Sequence, residues 1–363
     1  MRIAIDAREM TGRSTGVGRY LSEILRAWGA LPAAATHHFV LCASEPVTVP
    51  VSPLPLSSVI EAGSGTMWEQ WTLPALITRA NADVLFAPAY TAPLWCPVPT
   101  VLTIHDVSFA AHPEWFSWRE GLRRRTLARA SARRATRVIT ESDFSKREIT
   151  RHLGVDPARI DVIYLGASAA PPPAPREPMV LYVGSVFNRR HLPVLIDGFA
   201  RVAARHSGVR LELVGDNRTF PAIDLDAAIA RSGAADRIRW RPYVADADLS
   251  SLYARASAFV FLSEYEGFGL TPLEAIAARV PPVVLDTEVA REIYGSAAEY
   301  VERPEASLVA TALERVLLDA DVRARLLAAG VAQIERYSWA ECAHRTLQVL
   351  LAVRPTSARA GDR

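Results

Sequence analysis

Glu266-Gly-Phe-Gly-Leu-Thr-Pro-Leu-Glu274 sets two carboxylates with seven residues between them, joined by a glycine–aromatic–glycine turn. The apolar run Ala258-Phe-Val-Phe-Leu-Ser263 leads into it, and a helical pattern from Pro272 to Ala278 leads out. A strand that ends in a glycine turn and opens a helix directs unpaired backbone N–H groups at an anion above it. One carboxylate falls in the loop and the other in the first helical turns. Both can accept hydrogen bonds from hydroxyls while the N–H groups hold phosphate, and hydroxyls beside phosphates describe a nucleotide sugar. Two glutamates alone would equally suit a solvated loop residue and a helix carboxylate favoured by the dipole. The glycines and the preceding strand favour the ligand-binding reading.

A diphosphate leaving group also needs cations. Gly184-Ser-Val-Phe-Asn-Arg189-Arg190 follows another apolar run and supplies two; the plainer alternative is a solvated Arg–Arg pair. Gly16-Val-Gly18 lies between the first strand and the first helix, where glycine lets backbone approach a ligand closely. Leu21 stands where a dinucleotide fingerprint needs its third glycine, which argues against a nicotinamide site. His105-Asp106 closes a strand, as a site residue or as a structural histidine held by its neighbour. Asp224-Leu-Asp226 and Asp246-Ala-Asp248 imitate a metal-binding Asp-x-Asp, but both fall at helix starts, where aspartate serves as N-cap or dipole partner. No metal and no cofactor are expected, because an arginine pair and a helix N-terminus can neutralise a diphosphate.

The elements that must position these residues alternate along the chain. Short apolar runs at Ile3–Ile5, Phe39–Cys42, Val84–Ala87, Val101–Ile104 and Val138–Thr140 alternate with helical stretches near Tyr20–Trp28, Trp68–Arg79, Trp118–Arg134 and Ser145–His152. Gly166-Ala-Ser-Ala-Ala-Pro-Pro-Pro-Ala-Pro175 cannot be regular structure and reads as a linker. A second series follows at Met179–Val183, Leu211–Val214, Ile238–Trp240, Ala258–Leu262 and Val283–Leu285. Buried runs spaced by helices predict an α/β protein with parallel sheets covered on both faces. The expected domains are 1–168 and 169–337, each Rossmann-like and facing the other across a cleft. A helix at 338–353 should pack back on the first domain, and 354–363 should be a disordered tail.

The 363 residues suit two domains of medium size, half are apolar, and the formal net charge is only +2, which argues against bulk nucleic-acid binding. Cys42, Cys96 and Cys342 are few and lack metal-ligand spacing, which suits a reducing cytosol. No apolar h-region precedes the first strand and no apolar run is long enough to span a bilayer. A cytoplasmic protein is expected, at most peripheral on the inner face of the membrane.

Several segments together resemble a known family. Asp6-Ala-Arg8, Gly16-Val-Gly-Arg-Tyr20, Thr103-Ile-His-Asp106, Ser142-Asp-Phe-Ser145, Leu181-Tyr-Val-Gly-Ser185, Glu266 to Glu274 and Tyr337-Ser-Trp339 are similar, in order and spacing, to the retaining glycosyltransferases of family 4. That family has the GT-B fold, and the likeness extends over nearly the whole chain. It implies that Glu266 meets the donor sugar hydroxyls and Glu274 the nucleotide ribose. It also implies donor contacts from Val244, Phe268, Gly269 and Leu270, a phosphate cap from Gly16 and Gly18, and a place for His105 near the reacting sugar. Arg189 and Arg190 would stabilise the leaving group, with Arg190 where the family usually has lysine, a fork in place of a compact ammonium. The implied reaction is front-face attack by an acceptor hydroxyl with retention at the anomeric carbon, and no general base can be read from the sequence. Arg279 also departs from the family, which favours glycine after this helix; a side chain there should cost up to about 1 kcal/mol or force a differently built turn.

The acceptor side is less legible. Trp68, Trp71, Tyr90, Trp95 and Phe109 to Phe116 enrich the first half in aromatics, as stacking surface or as core. Trp118 to Arg137 carries eight arginines against Glu120 alone, either a solvated helix face or a contact with anionic lipid around Arg119–Arg137. The favoured reading is transfer of mannose from GDP-mannose to a glycan or lipid-linked saccharide. Its rivals are a UDP-sugar-dependent transferase of the same fold, a sugar-nucleotide epimerase, which would need no acceptor, and an idle sugar-nucleotide binding module.

Overall fold

The computed structural model describes residues 1–12, 16–49, 54–167, 172 and 174–353. Its strands are β1 (Arg2–Asp6), β2 (His38–Ala43), β3 (Leu56–Ile60), β4 (Val84–Ala87), β5 (Thr100–Thr103), β6 (Arg137–Thr140) and β7 (Ile160–Val162), then β8 (Met179–Val183), β9 (Arg210–Val214), β10 (Ile238–Arg241), β11 (Ala258–Phe261), β12 (Pro282–Leu285) and β13 (Glu299–Val301). They form two wholly parallel sheets, ordered β3-β2-β1-β4-β5-β6-β7 and β10-β9-β8-β11-β12-β13. In each sheet the chain begins centrally, winds to one edge and returns to the other side. The winding reverses between β1 and β4, and again between β8 and β11. Ligands of doubly wound sheets bind beyond the carboxyl ends of the strands at such a reversal.

The sheets belong to two compact units. One comprises Met1–Pro113, Trp118–Gly166 and the residues from Ser338 on; the other comprises Glu114–Ser117 and Ala167–Tyr337. Helices cover both faces of a parallel sheet, so its central strands read as unbroken apolar runs, and β8 (Met-Val-Leu-Tyr-Val) is buried throughout. The edges differ. β3, β7 and β13 escape a search for apolar runs because β3 (Leu-Ser-Ser-Val-Ile) is half-exposed and the other two are three residues long.

In the first unit the helix Gly16–Gly29 buries Tyr20, Leu21, Ile24, Leu25 and Trp28 at helical spacing. Trp28 stacks on Phe39 and donates its indole N–H to the Ala343 carbonyl (2.8 Å), tying in the last helix, Trp339–Ala352. That helix is capped by Ser338, whose hydroxyl accepts from the Glu341 N–H. Residues 168–171 and 173 of the linker stretch lie outside the described residues, and the tail 354–363 wholly so. Among the described residues no helix is long and apolar enough to cross a membrane.

The turn after the helix Leu270–Ala277 keeps the geometry that favours glycine, because Arg279 adopts φ 59°. A differently built turn is therefore not used. Arg176 braces it, donating to the carbonyls of Ala278 (2.7 Å) and Arg279 (3.1 Å) as well as those of Tyr253 and Ala256.

Candidate active site

Beyond β8 and β11, on either side of the second unit's reversal point, run the loops that carry Arg190 and Glu266. Arg190 donates from Nε (2.9 Å) and Nη2 (2.7 Å) to Glu266 Oε1, and from Nη1 to the Ser185 carbonyl (2.7 Å). Its guanidinium also lies over the rings of Phe261 (4.7 Å) and Phe187 (5.3 Å). Gly184 makes room for it: at φ 143°, a Cβ there would stand 2.7 Å from Arg190 Nη1. Burial disfavours the guanidinium charge, but Glu266 and the Tyr182 hydroxyl outweigh it, and the pKa of Arg190 stands above its ordinary value. An arginine expected to offer its charge to a diphosphate thus has three of its five N–H donors committed within the protein. The pair is neutral as a whole.

Glu266 is furnished unevenly. Both bonds from Arg190 and a third from the Ser263 hydroxyl (2.7 Å) converge on Oε1. Among the described residues Oε2 takes no hydrogen bond, so its lone pairs can accept from a ligand hydroxyl.

Arg189 has the opposite character. It is buried, with its guanidinium over Phe187 (4.5 Å) and Trp115 (5.8 Å), and its buried Nε–H has no partner among the described residues. An unpaired buried donor costs about 1–3 kcal/mol, a cost that a bound anion would relieve. The Glu264 N–H donates to the Arg189 carbonyl (3.0 Å), and His191 Nε2 meets Glu264 Oε2 (3.3 Å), so the two loops are fastened to each other.

Gly269, at φ 83°, opens the helix Leu270–Ala277. A Cβ there would collide with the Tyr294 hydroxyl, which donates to the Gly269 carbonyl (2.7 Å); this position requires glycine. Leu270 begins the helix whose N–H groups face outward at that end. Phe268 is buried edge-to-face on Tyr337 (5.5 Å), so its ring braces the turn. Glu274 is buried one turn further on and accepts from the Tyr253 hydroxyl at Oε2 (3.1 Å). Val244 is half-buried against the unit's core, in the loop between β10 and the helix Asp246–Arg255.

In the first unit several of the quoted segments converge on His105, which follows β5. Its Nδ1 meets the Glu141 carboxylate beyond β6, and its Nε2 faces the Pro88 carbonyl beyond β4 (2.8 Å). A carbonyl can only accept, so Nε2 carries a proton, and a charged ring donates at both nitrogens. Burial disfavours the imidazolium, but Glu141, the Pro88 carbonyl and Asp106 outweigh it and raise the pKa of His105 above its ordinary value. Tyr20 (5.2 Å) and Tyr90 (5.3 Å) pack edge-on against the ring. Neither ring nitrogen is left for proton exchange with a substrate. Gly16 and Gly18 lie in the first turn of the helix that supplies Tyr20, after the undescribed residues 13–15. The first unit's own reversal point holds a second cluster: Arg8 clasps Asp6 (2.6 Å) and lies 3.7 Å from buried Glu69.

Asp224 is the N-cap of the helix Leu225–Arg231, accepting from the Ala227 N–H (2.9 Å), and Asp246 and Asp248 lie in the first turn of the next helix. Among the described residues no group of three His, Cys, Asp or Glu side chains could hold a metal ion. The partners that fix the site, Ser263, Tyr253, Tyr294 and Glu141, carry no spacing that sequence reasoning could use. Glu141 and Ser263 had only a local signal, since each directly follows a run, Arg137–Thr140 and Ala258–Leu262.

Two parallel sheets with this winding, and loops of this chemistry at their carboxyl ends, define an α/β protein of the GT-B class. The sequence agrees: residues 14–170 match the model described as Glycosyltransferase Family 4, and residues 168–331 the model described as Glycosyl transferases group 1. O-antigen chain mannosyltransferase B of Escherichia coli is 28% identical over 262 residues, 68% of each chain. Glycogen synthase of Mycobacterium tuberculosis is 30% identical over 287 residues, 77% of this chain and 69% of that one. Among solved structures, Anabaena HepE in complex with UDP-glucose superposes with a TM-score of 0.76 at 19% identity, over 97% of this chain and 100% of that one. The chain belongs to glycosyltransferase family 4.

Proposed function

We propose that this chain is a retaining hexosyltransferase that takes mannose from GDP-mannose and adds it to a glycan or lipid-linked saccharide. The observation that carries the reading is the pairing at the second unit's reversal point: a carboxylate with one oxygen pinned and one open, beside an arginine with a buried unpaired donor. The open Oε2 of Glu266 accepts from hydroxyls of the donor sugar. Arg189 and the helix N-terminus at Gly269 bind the diphosphate, and Glu274, oriented by Tyr253, accepts from the ribose. Arg190 acts mainly by holding Glu266 in register.

In the proposed reaction the bond from the anomeric carbon to the diphosphate oxygen breaks with its electron pair on that oxygen. The acceptor hydroxyl bonds the same face of the carbon, and its proton passes to the departing phosphate oxygen. No side chain has to act as base, which suits a His105 whose nitrogens are both engaged. Charge stabilisation by Arg189 and backbone N–H groups supports a reaction without an essential metal. The mannosyltransferase relative supports mannose, whereas the UDP-glucose complex of the Anabaena protein favours the second reading, a UDP-sugar donor.

A thermal-shift screen of GDP-mannose, UDP-glucose, UDP-galactose and UDP-N-acetylglucosamine separates the two, because a ligand that binds only the native state raises the melting temperature. GDP-mannose should give the largest shift, and transfer to a saccharide acceptor should yield an axial mannoside by NMR. A larger shift with a UDP-sugar moves the assignment to the second reading. Donor turnover to an altered sugar without acceptor would identify an epimerase instead.

A further inference from the structure

We propose that one side of the first unit is a docking surface for a bilayer bearing anionic lipid. The chain has eight tryptophans. Trp28, Trp68 and Trp339 are buried, and Trp115 and Trp240 are half-buried. The three exposed ones, Trp71 (71%), Trp95 (80%) and Trp118 (74%), all lie on the first unit, in elements that touch one another, with exposed Met67 and Leu122 beside them.

The contacts that join these elements are specific. Thr66, at the start of the helical stretch that carries Met67 and Trp71, accepts from Arg123 (3.2 Å) on the helix Trp118–Arg134. Gln70 spans to the loop before Trp95, accepting from the Leu94 N–H (2.9 Å) and donating to the Ala92 carbonyl (3.3 Å). The same loop is bonded to Ser131 of the arginine-rich helix, and the Arg134 guanidinium lies over the Trp95 ring (5.7 Å). Gly121, Ala128, Ser131 and Ala132 form the buried stripe of that helix. At helical spacing its outer side therefore carries Trp118, Arg119, Leu122, Arg123, Arg129 and Arg133, all exposed.

Charge selects the occupant. Glu120 is tied to Arg124 (2.6 Å), and Glu61, nearby on the chain, to Arg79 (3.2 Å). Among the described residues Arg119, Arg123, Arg129, Arg133 and Arg134 meet no carboxylate; Arg123 bonds a threonine, and Arg129 a backbone carbonyl. Exposed indoles among arginines without acidic partners match a bilayer interface, where indole sits at headgroup depth and guanidinium pairs with phosphodiester. The helix is not a membrane span, since its apolar stripe faces the protein. The inference goes beyond the donor reading and is independent of it: transfer to a soluble acceptor can persist without vesicle binding, and vesicle binding without transfer.

Flotation of the full chain with phosphatidylcholine vesicles, with and without phosphatidylglycerol, tests it. The wild type should float only with phosphatidylglycerol vesicles, and added salt should weaken this binding. The triple variant Trp71→Ser/Trp95→Ser/Trp118→Ser should bind about tenfold more weakly, and Arg119→Glu/Arg123→Glu/Arg129→Glu on the order of a hundredfold more weakly. Transfer to a soluble acceptor should be unchanged in both. If either variant melts early, quenching of wild-type tryptophan fluorescence by brominated lipid serves instead and should be strong. Failure of the wild type to float, equal flotation on neutral vesicles, or flotation unmoved by both variants overturns the proposal. A tryptophan-dependent dimer without flotation would assign the face to a second copy of this chain, and nucleic-acid binding without flotation would assign it to a polyanion; each also overturns it.

Discussion

The loops beyond β5 and β6 hold His105 against Glu141 with both ring nitrogens engaged, whereas those beyond β8 and β11 hold Arg190 against Glu266 with one carboxylate oxygen carrying three bonds and the other none. The two sheets share one winding, but the first pair lies to one side of its sheet's reversal point, beyond β5 and β6, and the second lies at the reversal itself, beyond β8 and β11. Place in the sheet and the cluster's hydrogen-bond accounting thus differ together: the cluster at the reversal is the one that keeps an open acceptor. The first pair is a frame whose donors are spent on the protein itself. The second is a clamp, with a cation fixing the angle of a carboxylate whose other oxygen takes no hydrogen bond among the described residues.

Removing the clamp should have the largest effect. Glu266→Ala should cut kcat/KM for transfer by about 10²–10³-fold, as loss of a preorganised charged contact does. It also strands Arg190, so denaturant unfolding should show about 3–5 kcal/mol less stability. Glu266→Gln separates the two effects, keeping part of the Arg190 contact while weakening the sugar contact. Activity that survives Glu266→Ala would mean the carboxylate serves only to neutralise Arg190.

Next in size is Arg189. Arg189→Ala should weaken nucleoside diphosphate binding about tenfold to a hundredfold by calorimetry, since charge-assisted contacts contribute roughly 1.5–3 kcal/mol. Stability should change little, because its Nε–H has no partner to lose among the described residues. If Arg190→Met weakened nucleotide binding more than Arg189→Ala, the division of labour between the two arginines would be reversed.

The frame should respond to pH more than to substrate. The folded-state pKa of His105 is raised above 6.5, so the stability from its contact with Glu141 is fully present below about pH 6.5 and is lost as pH rises through the folded value. Thermal melts of the wild type should fall across that window more steeply than those of His105→Asn. The variant should retain measurable transfer. A folded His105→Asn protein with no transfer would put the ring in direct contact with substrate and contradict its reading as a frame.

Tyr253→Phe should have the smallest effect. Loss of one neutral donor to Glu274 should cost about 1 kcal/mol of stability and raise the KM for donor a few-fold with kcat nearly unchanged. A fall in kcat alone would detach Glu274 from nucleotide binding.

Much of this was legible in the chain because the central strands of a parallel sheet have to be apolar on both faces. β1, β4, β8 and β11, which flank the reversal points, are among the clearest runs, so the site loops could be located from the sequence. β3, β7 and β13 were not, since an edge strand needs neither length nor two buried faces. Gly269 announced itself by type, and the structure supplies the reason in Tyr294. The Arg190–Glu266 clamp could not be read, as its partners lie 76 residues apart and only the adjacency of β8 and β11 brings them together. Arg279 shows a local preference overridden: a side chain occupies the left-handed turn, and Arg176, more than a hundred residues away, ties down its carbonyl.

The most direct test of the clamp is calorimetric titration of Glu266→Gln with the preferred nucleotide sugar and with its nucleoside diphosphate alone. Nucleoside diphosphate should bind the variant as it binds the wild type, while the extra affinity contributed by the sugar is lost. Equal loss for both ligands, or no loss for either, would contradict the assignment of Glu266 to the sugar.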